Sequence, residues 1–133
     1  MSDVIPDKYK DLLTTKAALA HLGTIMRDGR PQVTPIWFSY DGEHILLNSA
    51  KGRVKDRNMR ARPKVALSIV DPDNAFRYVQ IMGTITEITE DGADAHVDTL
   101  AQKYLGKPRY PWRQPGEVRV IYKITPDRAQ ASG

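Results

Sequence analysis

The chain predicts a mainly β domain, a curled sheet of about six antiparallel strands with helices at its margins. Three observations carry this. Residues 76–90 alternate strictly, with Arg77, Val79, Ile81, Gly83 and Ile85 on one side and Tyr78, Gln80, Met82 and Thr84 on the other, and are rich in β-branched residues. Asp28 and Gly29, then Asp41 and Gly42, supply tight turns in which glycine tolerates a positive φ. Short strand-like runs recur at regular spacing between such turns, which favours a barrel. The 133 residues make one domain, 1–133, with a small core.

In chain order, residues 6–14 read as a short amphipathic helix, with Tyr9, Leu12 and Leu13 on one face and Pro6 suited to its first turn. Residues 17–26 are open between helix and strand, although Gly23 and the Thr24, Ile25, Met26 ending suggest a strand. Residues 32–40 (QVTPIWFSY) are strand-like. Pro35 demotes them to an edge or a bulge, because proline cannot donate a ladder hydrogen bond. Residues 44–49 form the third strand. Residues 65–70 (VALSIV) form the fourth, apolar enough to be buried on both faces. Asp71, Pro72, Asp73 and Asn74 form a turn. Gly83, midway along the long fifth strand, suggests a bulge or a close approach. Residues 91–105 are helical and stop at Gly106. Residues 107–116 form an irregular loop with three prolines, residues 117–125 are the last strand, and residues 128–133 read as a frayed tail.

Composition narrows the function. Without cysteine there is no disulfide, thiolate metal site or cysteine nucleophile. No apolar run approaches the roughly 18 residues of a membrane span, and residues 1–10 lack the apolar core of a signal peptide. A soluble cytoplasmic protein is the expectation. A pI near 9.4 raises a polyanion as partner.

The basic character is local. Residues 48–65 (NSAKGRVKDRNMRARPKV) hold seven Lys or Arg against Asp56, a charge of +6 within a chain of net charge +4. If residues 52–62 are helical, Lys51, Lys55, Asn58 and Arg62 share one face, and Arg53, Arg57 and Arg60 share another. Only Val54 and Ala61 then offer an apolar stripe. One reading is a solvated basic helix. The other is a phosphate clamp in which Arg53 grips oxygens with its planar fork, Lys55 acts as a point charge and Asn58 orients the pair.

No dinucleotide or phosphate-loop fingerprint is present. His21, His44 and His96 lack metal-ligand spacing, and no acid–base pair or triad assembles. Chemistry here therefore implies a bound cofactor. Trp37 with Phe38, Phe76 with Tyr78, and Tyr110 with Trp112 are candidate walls for a planar ring, or simply core. Trp112, in a proline-rich loop beside Arg109 and Arg113, suits a ligand lid or a subunit contact. Nucleic-acid binding through the basic helix is the competing class, but the patch is short and no nucleic-acid motif accompanies it.

Three segments together carry a resemblance: residues 29–38 (GRPQVTPIWF), residues 52–60 (GRVKDRNMR), and Val65, Ala66, Leu67 and Ser68 followed by Asp71, Pro72, Asp73, Asn74, Arg77 and Tyr78. Over residues 17–125 the chain resembles the split β-barrel proteins of the pyridoxamine-phosphate-oxidase type, and within them the B group of flavin/deazaflavin oxidoreductases, many of which use coenzyme F420. The resemblance implies a homodimer with cofactor sites at the subunit interface. It implies that Arg53, Lys55 and Asn58 hold the cofactor phosphate, with Arg57 nearby. Ser49, Ala50 and Lys51 would lie along the ribityl chain or ring. The backbone of Gln32, Val33, Thr34, Pro35 and Ile36 would flank the ring, and Tyr78 and Arg113 would come from the second subunit. No catalytic side chain is implied: the reduced cofactor passes a hydride to a small organic acceptor of quinone, tetrapyrrole or enone type. FMN is the alternative cofactor, and a carrier without turnover the alternative role. The polyglutamate tail of F420 would suit the surplus cations Arg57, Arg60 and Lys8 or Lys10.

Overall fold

The computed structural model describes residues 4–133. The element order is a 3-10 helix (Asp7–Leu12), β1 (Ala20–Ile25), β2 (Pro31–Ile36), β3 (Phe38–Tyr40), β4 (Ile45–Ala50), α1 (Val54–Ala61), β5 (Lys64–Asp71), β6 (Asn74–Thr89), α2 (Ala93–Leu105) and β7 (Arg119–Ser132). All strand pairings are antiparallel, in the order β2-β1-β5-β6-β7-β4-β3.

The two edge strands, β2 and β3, are consecutive in the chain and are joined at Trp37. The sheet therefore curls until its edges meet at one residue without pairing, which makes a split barrel. The single strand expected over residues 32–40 is two strands for this reason. β2 pairs with β1 and β3 with β4, at opposite ends of the sheet. Pro35 sits opposite His21 on the edge strand β2, the position in a sheet where proline is tolerated.

The core fills the inside of the curl, with Leu22, Phe38, Ile45, Leu47, Leu67, Ile69, Ile81, Tyr122 and Ile124 almost wholly buried. Ile5, Leu12 and Leu13 close one end. The N-terminal helix is a tight 3-10 turn rather than an α-helix over 6–14, and the Thr14 hydroxyl donates to the Lys10 carbonyl just past its end. Arg77 donates to Asp11 at 2.6 Å and to Asp71 at 2.9 Å, and Lys16 pairs with Asp71 at 2.9 Å. These pairs tie the helix to the β5–β6 hairpin.

Three further expectations change. β5 is not buried on both faces: its burial alternates, leaving Ala66 exposed and Ser68 and Val70 half-buried. The tail over 128–133 is not frayed, because β7 runs on to Ser132, pairing Arg128 with Met82 and Ser132 with Tyr78. The strand count is seven. Gly83 does mark a close approach. A Cβ there would lie 2.5 Å from Ile124 Cγ2 and 3.0 Å from the Thr125 carbonyl oxygen, and the β6–β7 register shifts at this point.

Candidate active site

A cavity of about 360 Å³ opens at the barrel seam. Leu19, Pro35, Ile36 and Trp37 line it from the two sheet edges, Asn48 and Ser49 from β4, Arg53 and Lys55 from the start of α1, and Tyr110, Trp112 and Arg119 from the segment entering β7.

The turn between β4 and α1 sets the cations. Gly52 takes φ +95°, a conformation that L side chains rarely adopt. Its amide donates to Asp56 Oδ2 at 2.9 Å, while Asp56 Oδ1 accepts from the Tyr122 hydroxyl at 2.5 Å and from Arg60 Nε at 2.9 Å. Asp56 is buried, so one carboxylate pins turn, helix and β7 together. The helix is therefore anchored by Asp56, Asn58 and Met59, all buried, and not by Val54 and Ala61. A polar anchor carries no hydrophobic periodicity, which is why the sequence shows the helix as loosely held.

Arg53 is exposed and Lys55 half-buried, and neither makes an ion pair among the described residues. Burial, then the charges of Arg53 and Arg119, lowers the Lys55 pKa. Arg53, Lys55 and Arg119 gathered with only Glu117 paired among them favour an incoming anion, which relieves their repulsion. The first-turn amides of α1 add a partial positive charge from the same direction.

The other wall is aromatic. Trp37 stacks on Tyr104, with centroids 5.2 Å apart and planes 4° from parallel. Tyr110 meets Trp37 edge-on at 6.0 Å, and Trp112 lies 6.1 Å from it. The loop is fastened to α2: Arg113 pairs with Asp94 at 2.8 Å and Asp98 at 2.9 Å, and the Tyr110 amide donates to Asp98 at 2.8 Å. Trp112 is 54% exposed and covers the cavity from outside.

Of the residues singled out from sequence, the structure brings Pro35, Ile36, Ser49, Arg53 and Lys55 together, with Trp37, Tyr110 and Trp112. It places others elsewhere. Asn58 does not orient Arg53 and Lys55. Its buried amide donates to Thr24 Oγ1 at 3.0 Å and accepts from Arg62, on the opposite side of α1. Lys51 turns to Glu90 at 3.2 Å, and Ala50 is buried without lining the cavity. Gln32, Val33 and Thr34 lie further along β2. Arg57 is exposed on α1 outside the lining, Tyr78 sits on β6 opposite Val70 and Ser132, and Arg113 is committed to its own α2. The surplus cations are mostly occupied: Arg60 pairs with Asp56, Lys10 with Asp7, and Lys8 lies over the Tyr9 ring.

Sequence reading missed Leu19, Asn48 and Arg119. One signal was available for Arg119: Glu117 and Arg119 are two apart in an extended segment, so they share a face and can pair, as they do at 2.6 Å. His96, set aside as an ordinary histidine, is half-buried on α2 behind the cavity, between Asn48 and Ser39. Burial, then the charge of Arg119, holds it down at about 4, so the ring is neutral at pH 7.

A split antiparallel barrel with a cation-rimmed, aromatic-walled cavity at its seam defines a class of small-molecule-binding barrels. The chain belongs to the pyridoxamine 5'-phosphate oxidase family, whose model matches residues 5–133. It is similar to a pyridoxine/pyridoxamine 5'-phosphate oxidase of Bradyrhizobium sp. (strain ORS 278), 32% identical over 104 residues, covering 77% of this chain and 48% of that one. The counterpart from Rhodopseudomonas palustris (strain HaA2) is 31% identical, with 77% and 49% covered. The chain thus spans about half the length of the curated relatives it matches. Among solved structures it is similar to an F420 reductase with TM-score 0.85 and 34% identity, covering 95% of this chain and 98% of that one.

The residues present fit a planar ring carrying a phosphate. The cavity has an aromatic wall and two cations without ion-pair partners at its rim.

Proposed function

We propose that this protein is an oxidoreductase that binds coenzyme F420 at the barrel seam and serves hydride transfer from the reduced cofactor to a small organic acceptor. The carrying observation is that Arg53 and Lys55, without ion-pair partners, stand at the rim of an aromatic-walled cavity. Likeness to an F420 reductase over nearly the full length of both chains supports the cofactor. In this reading Arg53 and Lys55 take the phosphate, and the Pro35 and Ile36 edge and Trp37 flank the ring. Trp112 excludes water, and Arg113 holds that loop closed. The reduced cofactor supplies the hydride, and the chain supplies proximity and orientation.

FMN is the second reading, favoured by a specific observation. With Arg60, Lys10 and Lys8 occupied, Arg57 alone remains of the cations offered to a polyglutamate tail. A homodimer belongs to the same proposal. Gly23, Ile25, Ala66 and Met82 expose an apolar groove on the outer sheet face, with Lys64, Asp127 and Arg128 around it giving both signs of charge for a self-complementary contact.

The test is a fluorescence titration with oxidised F420, with FMN as competitor. Tight F420 binding that FMN does not displace supports the leading reading, and the reverse supports the second. Reversing both charges (R53E with K55E) is expected to weaken binding more than about a hundredfold, since each is a charge-assisted contact. Unchanged affinity would sink the clamp.

A further inference from the structure

Arg119 lines the cavity together with Arg53 and Lys55, and it is the only one of the three that is buried, at 6% exposed. Its guanidinium is fixed on three sides. Nη1 donates to Glu117 Oε1 at 2.6 Å, Nε donates to Asn48 Oδ1 at 2.9 Å, and the Tyr110 ring centroid lies 5.0 Å from Cζ. Asn48 is held in turn, because its Nδ2 donates to the Ala93 carbonyl at 2.9 Å and to His96 Nδ1 at 3.1 Å. Arg119 stands opposite Ala50, two residues from Asn48, so Arg119 and Asn48 share one face of the β4–β7 pair. The remaining nitrogen, Nη2, has no partner among the described residues and is not sealed from solvent. A buried guanidinium with both Nη2 hydrogens unused is set to receive an acceptor from the cavity.

The charges around it do not cancel. Arg53, Lys55 and Arg119 face only Glu117, which leaves a formal surplus of two positive charges. Pairing with Glu117 does not silence Arg119. Burial, then the charges of Arg53 and Arg119, lowers the Lys55 pKa. Against the effect of burial, the hydrogen bond from Arg119 and the charges of Arg119 and Arg53 lower the Glu117 pKa, so Glu117 is ionised at neutral pH. A singly charged group would offset half of the surplus. Two negative charges close together offset all of it.

We propose that Arg119 is the third cation of the anion site, presenting Nη2 to the same ligand group as Arg53 and Lys55, and that Glu117 trims the site's charge so that it selects a group bearing two negative charges. This rests on the reading of the cavity as a cofactor site and deepens it. Two sources supply such a group: the phosphate monoester of FMN, a dianion at neutral pH, and the phosphate diester of F420 with a carboxylate beside it. Arg119 meets the ligand. Glu117 and Asn48 are positioning residues, holding Nη1 and Nε.

The experiment titrates the full chain with oxidised F420 and with FMN, followed by quenching of its tryptophan fluorescence. Glu117→Gln keeps an acceptor for Nη1 and removes the negative charge, and is expected to tighten binding about fivefold. Glu117→Gln combined with Arg119→Gln keeps the formal surplus at two, leaves no lone buried charge, and offers an amide donor to Asn48. It is expected to weaken binding about tenfold or more, the worth of a charge-assisted hydrogen bond, and because the net charge is unchanged the loss reports the contact itself. A gain in one variant and a loss in the other cannot both come from a loosened fold. Shifts confined to FMN assign the monoester, shifts confined to F420 assign the diester with its carboxylate, and shifts in both assign the phosphate they share. The Arg119 contact is overturned if the double variant binds both probes as tightly as the wild type. The role of Glu117 is overturned if Glu117→Gln tightens neither. If F420 in those cases still depends on Arg53 and Lys55, the proposed function stands without the third cation. Failure of the wild-type chain to bind either probe overturns both.

Discussion

Asp56 is the residue on which the cation site depends. It is buried and accepts from Gly52, Tyr122 and Arg60, so one side chain joins the turn, α1 and β7. Asp56→Ala leaves a buried tyrosine hydroxyl without its acceptor and is expected to cost about 3 kcal/mol, read by urea unfolding. Tyr122→Phe in that background should then cost less than in the wild type, because the shared contact is already gone. A second residue sets an acid limit. Hydrogen bonds from Lys16, the Asp73 amide and Arg77 hold Asp71 at about 2, from an ordinary 3.8. A carboxylate depressed on folding contributes stability that is fully present above about 4 and lost as pH falls through about 2. Asp71→Asn should flatten the stability profile between those values, measured by thermal melts across pH. A slope identical to the wild type would remove Asp71 from the account.

The elements show how sequence period and tertiary contact divide the work. β6 was plain from its alternation, and its bend needed one glycine. Gly83→Val places side-chain atoms against Ile124 and the Thr125 carbonyl and is expected to cost about 1–3 kcal/mol of stability, seen as a lowered melting temperature. α1 was found as a charge cluster, but its orientation was misjudged. Asn58 and Lys51 share a helical face with Lys55 by spacing alone. Packing turns Asn58 inward to Thr24, and Lys51 precedes the helix. β7 was cut short at 125 because Pro126, Asp127 and Arg128 look like a tail. β6 extends far enough to pair with them anyway.

At the scale of the whole molecule, the seam matters most. Edges β2 and β3 meet only through Trp37, so the cavity opens where the sheet fails to close. The groove around Ala66 and Met82 is the face proposed above for a second copy. Met82→Glu, at a residue 42% exposed, should leave the fold intact and convert a dimer to monomer in sedimentation velocity. A wild-type chain that sediments as a monomer would refute the dimer directly. Among the described residues no helix is long and apolar enough to cross a membrane.

By itself the sequence determined the β class, the turns, the place of the basic helix and the two rim cations, because period, glycine and charge are local signals. It also marked Trp37 and Trp112 as ring-wall candidates through their neighbours. Only the tertiary structure decided that the edges meet at Trp37, that Asn58 faces inward, and that Arg119, Asn48 and His96 converge behind the cavity. Those three lie on β7, β4 and α2, far apart in sequence. Their meeting is set by strand order and register, which no single stretch of chain encodes.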